Sequence, residues 1–309
     1  MTTLAGWQLV LAFLIFPGVV FTSFVGLTLT WVDRFVSARV QWRKGPPFYQ
    51  PFADMLKLLL KQTVVPAGAS KVTFLGAPMI GFAAMCVTAV LLFYVNFFPH
   101  GSFVGDLIVL VYLFALPPLS TILGASASRN PLSAVGASRE MTLYLGYELP
   151  FLLALVVPII HTHGAIRLGD LVLAQRTAGP FLYSWSGLIA AVIVLVCIQA
   201  KLGYPPFDIA EAEQEIMSGV LIEYSGAPLA LFRLTKAMMF FLMPCFLVTV
   251  FWGGLTSFWA IPELLAVVVL VILIKNTNPR FKIDHALRFF WFILGALGII
   301  AVILAFGGL

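Results

Sequence analysis

Charged side chains are scarce in this sequence. Only 10% of its 309 residues are Asp, Glu, Lys or Arg, whereas 61% are hydrophobic and the mean hydropathy is +1.04. A soluble domain carries roughly a quarter charged residues, and so few charges cannot cover a water-facing surface of this size. The composition therefore predicts an exterior that faces the lipid bilayer, and the length fits a single transmembrane helical domain over residues 1–309.

Cysteine is equally scarce, and the motifs of a cofactor site are missing. The three cysteines lie far apart within apolar runs and form no CxxC or Cys/His cluster; they are Cys86, Cys197 and Cys245. The sequence has no Gly-rich phosphate loop, no nucleophile elbow and no HExxH. We therefore expect no catalytic residue, no redox cofactor and no metal site in this chain, and we expect the thiols to pack as small hydrophobes.

Long apolar runs dominate what is present. A spanning helix needs ~20 apolar residues, and eight runs qualify, beginning near Trp7, Phe74, Leu107, Met141, Tyr183, Leu229, Ile261 and Phe289. The first, at about 7–31, has neither the basic start nor the cleavage site of a signal peptide. The seventh is short, at about 261–274. Because lipid demands that backbone groups pair internally, the pattern predicts an all-α polytopic membrane protein with about eight transmembrane helices.

The basic residues indicate how the chain is oriented. The loops after the first, third, fifth and seventh runs hold 14 Lys and Arg residues, and the loops on the opposite side hold two. The positive-inside rule then places the basic loops in the cytoplasm and both termini outside. This topology also explains the net charge of +5, so we expect no nucleic-acid partner.

The first cytoplasmic loop contains a predicted amphipathic helix at about 50–61, QPFADMLKLLLK. Its apolar residues recur at helical spacing, while Asp54, Lys57 and Lys61 gather on another face. Asp54 and Lys57 have the spacing of a favourable ion pair. The helix is typical of one lying in the membrane interface. Two roles remain open: a surface anchor, or the roof of an internal chamber that docks a partner.

The most informative polar stretch is an acidic cytoplasmic loop at about 201–228. It contains five of the chain's 13 acidic residues, which are Asp208, Glu211, Glu213, Glu215 and Glu223. Pro205 and Pro206 end the helix before it. Asp208 followed by Glu211 fits a helix N-cap with a reciprocal partner three residues on. Structural capping is therefore one explanation of these two acids.

A proton route or a sensor of redox-linked charge is the other explanation of the loop. On a helix Glu211 and Glu215 would share a face. Carboxylates crowded in a low-dielectric setting cannot all stay ionised, so at least one pKa should rise. A group that titrates near the working pH can pass protons. A solvated acidic face is the competing interpretation.

Two further acids and two bases lie within or beside the apolar runs. Glu148 falls inside the fourth run, and Glu140 lies at its cytoplasmic end beside Arg139. Acids in a membrane are costly and are usually functional, so we expect a proton or charge relay there. Arg233 and Lys236 in the sixth run are candidate counter-charges, unless they extend to the interface as long basic side chains do.

These residues make the chain resemble a known family. The string FDIAEAEQEIMSGVLIEYSG at 207–226 resembles the acidic loop of the H-subunit family of respiratory complex I, which is NADH dehydrogenase subunit 1 in mitochondria. RKGPP at 43–47, the amphipathic stretch at 50–61 and GYELP around Glu148 resemble further segments of that family. Their order and spacing agree along almost the whole chain.

The departures from the quinone-linked members point to a subgroup. Those members usually continue RxGP with Asn and Arg, where this chain has Pro47 and Phe48. They also usually carry an Arg just before PFD, where this chain has Tyr204-Pro205-Pro206. EAEQE and the GASRE at 136–140 instead resemble the homologous membrane protein of group 4 membrane-bound, ferredoxin-linked NiFe hydrogenases and related complexes, one of which reduces sulfur. The resemblance implies a subunit that couples such redox chemistry to ion translocation.

The resemblance further implies partners in the cell membrane of a prokaryote. A small iron–sulfur subunit, a large NiFe-type subunit and a ferredoxin-like cluster subunit would carry 4Fe-4S clusters and a NiFe-type centre on the cytoplasmic side. Antiporter-like subunits would contact the flank. The implied relay residues are Glu211, Glu213, Glu215, Glu223, Asp208, Glu140 and Glu148. The implied residues of the chamber and docking face are Arg43, Asp54, Lys57 and Arg139.

Two other functions remain open. A quinone-binding H-subunit of a complex I-type quinone oxidoreductase predicts an apolar tunnel beneath the amphipathic helix. A stand-alone transporter with an acidic site at the membrane midplane predicts internal repeats with paired broken helices, and the two halves of this sequence show no self-similarity.

Overall fold

The computed structural model describes residues 6–217 and 219–308, and within these residues it is helical and contains no strand. The expected all-α polytopic fold is therefore confirmed. The helices are α1 Gly6–Leu14, α2 Val19–Val40, α3 Gln50–Leu60, α4 Lys71–Phe97, α5 Asp106–Ala127, α6 Pro131–His161, α7 Leu168–Ala178, α8 Trp185–Lys201, α9 Glu213–Ile216, α10 Gly226–Phe251, α11 Ala260–Thr277, α12 Ile283–Arg288 and α13 Gly295–Phe306. A π-helical turn, Phe289–Leu294, joins α12 to α13.

Seven helical stretches in the described part of the chain are long and apolar enough to cross a membrane. They are Val10–Val40, Lys71–Phe97, Asp106–Ala127, Pro131–His161, Gly226–Phe251, Ala260–Thr277 and Ile283–Phe306. The predicted fifth span forms the shorter helix α8 of 17 residues. At 1.5 Å per residue it rises about 26 Å, slightly less than the ~30 Å hydrocarbon core. It packs inside the bundle between α6 and α13.

Two of the predicted spans begin or end at different residues in the structure than the sequence predicted. The first is not one helix, because α1 ends at Leu14, ahead of Pro17, which cannot donate a backbone hydrogen bond, and α2 begins at Val19. The seventh reaches Thr277 instead of ending near 274. Its last turn is polar but stays helical, because Lys275 pairs with Asp33 and Asn276 donates to Ser37 on α2.

Helix α10 forms the centre of the bundle. The apolar window of this helix is 89% buried, against 22–56% for the other spans. It contacts α2, α4, α8 and α11. Gly26 on α2 allows a close approach to α10, because a Cβ there would lie 2.6 Å from the carbonyl oxygen of Ala237. The packing of α10 therefore determines where its polar residues point.

The acidic loop folds against this bundle without the predicted N-cap. The short helix α9 begins at Glu213 after Ala212 and has no side-chain cap, so Asp208 and Glu211 do not cap it. Their carboxylates instead pair with Arg280 and Lys236. Because Glu211 precedes the helix, it also does not share a helical face with Glu215, and that prediction was wrong.

Candidate functional site: a polar cavity at one end of the bundle

A cavity of about 470 Å³ lies between α5, α6, α8, α10 and the acidic loop. This volume has room for on the order of ten water molecules. Six ionisable residues contribute to its lining, namely Glu140, Asp208, Glu211, Lys201, Arg233 and Lys236. Three acids and three bases around one cavity make this a concentrated group of ionisable residues in a chain with few charges.

A close backbone contact holds the acidic loop over the cavity. The turn Gly219–Leu221 lies against α5 and α6, where the Ser133 hydroxyl lies 3.1 Å from the carbonyl oxygen of Ala125 and 3.5 Å from that of Val220. A Cβ at Gly136 would lie 2.8 Å from the backbone nitrogen of Val220. A glycine on α6 therefore allows the loop to approach closely enough to close the cavity.

Glu211 and Lys236 form an ion pair on the cavity wall. Lys236 Nζ donates to Glu211 Oε2 at 2.7 Å, and about a third of each side chain is exposed. Lys236 thus pairs with an acid of the loop, whereas Glu148, the acid inside the fourth run, pairs with Lys201. Arg233 also lines the cavity, but it has no ion pair or hydrogen bond with any residue that the structure describes.

Asp208 faces the cavity from the other side of the loop. Arg280 Nη2 donates to its Oδ2 at 2.8 Å, and 15% of the Asp208 side chain is exposed. Burial raises the pKa of Asp208 above its ordinary value, and the negative charge of Glu211 adds to the rise, although Lys236 and Arg280 oppose it. A carboxyl in this state holds a proton at a higher pH than a solvated aspartate does.

Glu140 is the cavity's unpaired carboxylate. Within the described residues it makes no ion pair or hydrogen bond, and its half-buried side chain reaches the cavity. The charges that act on it are those of Glu211, Lys236 and Asp208. Glu140 is thus an acid without a fixed partner, beside two acids that have one.

Lys201 forms a second buried pair behind the cavity wall. Its Nζ donates to Glu148 Oε2 at 2.6 Å, and its side chain is 0% exposed while that of Glu148 is 18% exposed. The ammonium also lies 5.0 Å from the ring centroid of Tyr147 and 4.5 Å from that of Phe151. Sequence reasoning placed Lys201 in the loop, but the structure places it on the last turn of α8.

Glu215 and Glu223 are loop acids outside the cavity lining. Arg139 Nη1 donates to Glu215 Oε2 at 2.6 Å, and the Glu215 side chain is 62% exposed. Asn130 donates to Glu223. The side chain of Glu213 lies outside the described part of the structure. The loop carboxylates are therefore not crowded together as predicted, because most of them have separate partners.

The predicted chamber residues of the first loop also lie apart from the cavity. Asp54 accepts from Arg34 at 2.8 Å and from Gln50 at 2.9 Å, not from Lys57 as predicted. Burial opposes ionisation of Asp54, but these bonds outweigh it and lower the pKa of its carboxyl. Arg43 donates to Gln41, and both Arg43 and Lys57 are exposed.

Sequence reasoning missed a polar cluster beside the cavity. Lys275 Nζ donates to Asp33 Oδ2 at 2.7 Å between α11 and α2, and the ring of Tyr204 lies next to Lys275. Asp33 carried a usable signal, since an acid near an apolar run is costly unless it is paired. Its partner lies 242 positions away, and nothing in the sequence connects the two.

The side chains that commonly bind metal ions, His, Cys, Asp and Glu, lie apart from one another in the described part of the chain. Within the described residues, no three His, Cys, Asp or Glu side chains meet in a group that could hold a metal ion. Cys86, Cys197 and Cys245 are free and buried at separate points. The chemistry that this arrangement offers is exchange and redistribution of charge among carboxylates and bases.

The fold and the cavity define a class of protein: a polytopic helical membrane protein that gathers ionisable groups inside its bundle. Its family follows from comparison with known proteins. The chain belongs to the NADH dehydrogenase family, whose model matches residues 11–306. The family that the motifs predicted is thereby confirmed.

Two curated relatives align with this chain over most of their length. The chain is 32% identical over 289 residues to the NADH-quinone oxidoreductase H-subunit of Roseobacter denitrificans, an alignment that covers 86% of this chain and 81% of that one. It is 33% identical over 302 residues to the protein of the same name from Rhodospirillum rubrum, covering 90% and 88%.

A solved structure is also similar. It belongs to the membrane-bound sulfane sulfur reductase, described as an archaeal respiratory membrane complex. The TM-score is 0.81 at 28% sequence identity, and the match covers 93% of this chain and 96% of that chain. The similarity therefore extends over nearly the whole helical bundle.

Proposed function

We propose that this chain is the membrane-anchor and coupling subunit of an energy-converting redox complex that resembles membrane-bound NiFe hydrogenases. The single observation that carries this proposal is the cavity lined by three acids and three bases. The chain relays protons or charge from a redox site in partner subunits to antiporter-like subunits that pump ions. It holds no redox cofactor itself.

The cavity suits a relay because its three acids differ in whether they have an ion-pair partner. Glu211 and Asp208 each pair with a base, whereas Glu140 has no partner among the described residues. A carboxylate beside a water-sized space can gain and lose a proton without breaking a fixed bond. Two neighbouring pairs then respond to its charge, because Coulomb interactions are strong where burial weakens solvent screening.

The partners follow from the family resemblance and the exposed charges. A small iron–sulfur subunit, a large NiFe-type subunit and a ferredoxin-like cluster subunit dock on the cytoplasmic face and supply the 4Fe-4S clusters and the NiFe-type centre. Arg43, Asp54, Lys57 and Arg139 lie on that face in this orientation. The complex resides in the cell membrane of a prokaryote, with both termini of this chain on the extracytoplasmic side.

Glutamine variants of the cavity acids test the relay. Glu140→Gln and Glu211→Gln each remove one titratable group while keeping the shape of the side chain. In inverted membrane vesicles supplied with reduced ferredoxin, we expect ion uptake per assembled complex to fall at least about tenfold, because proton transfer by a positioned group contributes that much or more. Uptake is measured with a pH-sensitive or Na⁺-sensitive dye.

The matched control is Asp170→Asn, which changes an exposed acid on α7, away from the cavity. This variant should transport ions like the wild type. Ion uptake at the wild-type rate in both the Glu140 and the Glu211 variants would overturn the relay.

A quinone-binding H-subunit is the second candidate, favoured by the name that the curated relatives carry. It requires an apolar tunnel near α3, where aromatic rings cluster: Trp31 lies 5.4 Å from Phe35 and 5.3 Å from Phe48 between ring centroids. Vesicles that reduce an added ubiquinone analogue with NADH, and are blocked by a quinone-site inhibitor, would support this candidate against the hydrogenase-like one.

A further inference from the structure

The ring of Tyr204 lies beside two lysines from different helices. Its centroid is 5.4 Å from Lys236 Nζ on α10 and 4.5 Å from Lys275 Nζ on α11. Both distances fall within the ≈ 6 Å range of a cation–π contact. The ring also packs against Phe240 in a T-shaped arrangement, with centroids 5.7 Å apart.

Each of these lysines belongs to a separate ion pair. Lys236 binds Glu211 at 2.7 Å on the cavity wall, and Lys275 binds Asp33 at 2.7 Å between α11 and α2. The two ammonium groups lie no more than about 10 Å apart, because neither is more than 5.4 Å from the shared centroid. That separation is about one Debye length at 0.1 M salt, and partial burial weakens screening further.

The surroundings of Tyr204 keep its ring neutral. Burial raises the pKa of its hydroxyl well above the ordinary value, and the negative charges of Asp33 and Glu211 raise it further. A neutral aromatic ring presents its negative face to cations. The ring therefore offers a favourable surface to two positive charges that would otherwise repel each other across a gap.

We propose that Tyr204 is a positioning residue whose ring couples the Glu211–Lys236 pair of the cavity to the Asp33–Lys275 pair. This inference rests on the proposed relay function and extends it. The route then has a second branch, which leaves the cavity at Lys236, passes the ring of Tyr204 and reaches Asp33 between α2 and α11. A change of charge at Glu211 shifts Lys236, and the ring transmits that shift to Lys275.

A double-mutant cycle measures this coupling. Glu211→Asp and Lys275→Arg keep each charge and change only its reach, so graded losses are expected instead of complete ones. The two substitutions are introduced singly and together into the complete complex, in chains with Tyr, Phe or Leu at position 204. Ferredoxin-driven ion uptake by inverted vesicles is measured and normalised to the amount of assembled complex.

With Tyr at position 204 we expect the effect of the double variant to differ from the product of the single effects by at least about threefold. Tyr204→Phe keeps the ring face and should preserve the coupling. Tyr204→Leu removes the ring and should make the two effects multiply within about twofold. Should Tyr204→Leu fail to assemble, Tyr204→Met supplies the variant without a ring.

Three outcomes would overturn the inference: independent effects in the Tyr204 chain, coupling that persists in the Leu or Met chain, or loss of coupling in the Phe chain. The last would assign the effect to the hydroxyl group. These outcomes are distinct from failure of the relay itself, which would appear as wild-type ion uptake in both Glu140→Gln and Glu211→Gln.

Discussion

Lys201 is the most deeply buried cation among the ion pairs of the described residues, and its only acidic partner there is Glu148. Taking an ammonium and a carboxylate out of water is costly, and the pair offsets that cost only while both members are present. The rings of Tyr147 and Phe151 add cation–π contacts to the same ammonium. At the scale of single residues, this pair should therefore respond more strongly to substitution than the pairs at the surface.

Glu148→Gln should destabilise the solubilised protein by about 3–5 kcal/mol, because it leaves the buried Lys201 charge without a counter-charge. Glu148→Gln combined with Lys201→Met should recover most of that loss, since no uncompensated charge remains. Thermal unfolding in detergent, followed by tryptophan fluorescence, measures both variants.

Glu215→Gln is the matched control for this pair, because Glu215 is also bound to a base but is 62% exposed. Exposed pairs contribute less than about 1 kcal/mol. Equal unfolding temperatures for Glu148→Gln and Glu215→Gln would contradict this expectation. They would mean that the buried Lys201 charge does not depend on Glu148 for its stabilisation.

At the scale of elements, the cavity depends on how closely the turn Gly219–Leu221 approaches α6. Gly136 permits that approach, because any side chain there would meet the backbone of Val220. The turn is also held by the hydroxyl of Ser133. The acidic loop is thus positioned by contacts with two small residues of α6, Gly136 and Ser133.

Gly136→Ala should displace the acidic loop and destabilise the protein by about 1–3 kcal/mol, the usual cost of overpacking. Limited proteolysis should then cleave the loop near 211–217 faster than in the wild type. Gly76→Ala on α4 is the control, because a Cβ there meets nothing within 4 Å. Equal cleavage rates in the two variants would refute the role of Gly136.

The helices were predictable from the sequence, and most of the cavity's pairings were not. Apolar run length alone located the spans, since lipid allows few alternatives to a helix. It misjudged α11 because the polar last turn ends the hydrophobic signal at Ile274, whereas Lys275 continues the helix by pairing across the bundle. Asp208 shows the same limit, because its partner Arg280 lies 72 positions away.

At the scale of the whole molecule, loop charge predicts the orientation of the bundle. Residues 61–70 of the basic first loop should lie in the cytoplasm, and those around α7 outside. The chain's own thiols do not interfere with a labelling test, because Cys86, Cys197 and Cys245 are all buried.

Thr63→Cys and Thr177→Cys each introduce one exposed thiol, on opposite sides of the predicted membrane. A membrane-impermeant maleimide should label Thr177→Cys in intact cells and Thr63→Cys only in inverted vesicles. The reverse pattern would invert the topology and would place the cavity's acidic loop outside the cell.

The burial of α10 also constrains how the chain is made. Five of the eight apolar runs leave the ribosome before α10, yet its surface becomes almost wholly enclosed by other helices. Helices made earlier therefore cannot complete their packing until α10 has entered the bilayer, because α10 supplies contacts to α2, α4 and α8. The centre of this bundle is thus finished late in synthesis, when α10 and then α11, which packs against it, have both been made.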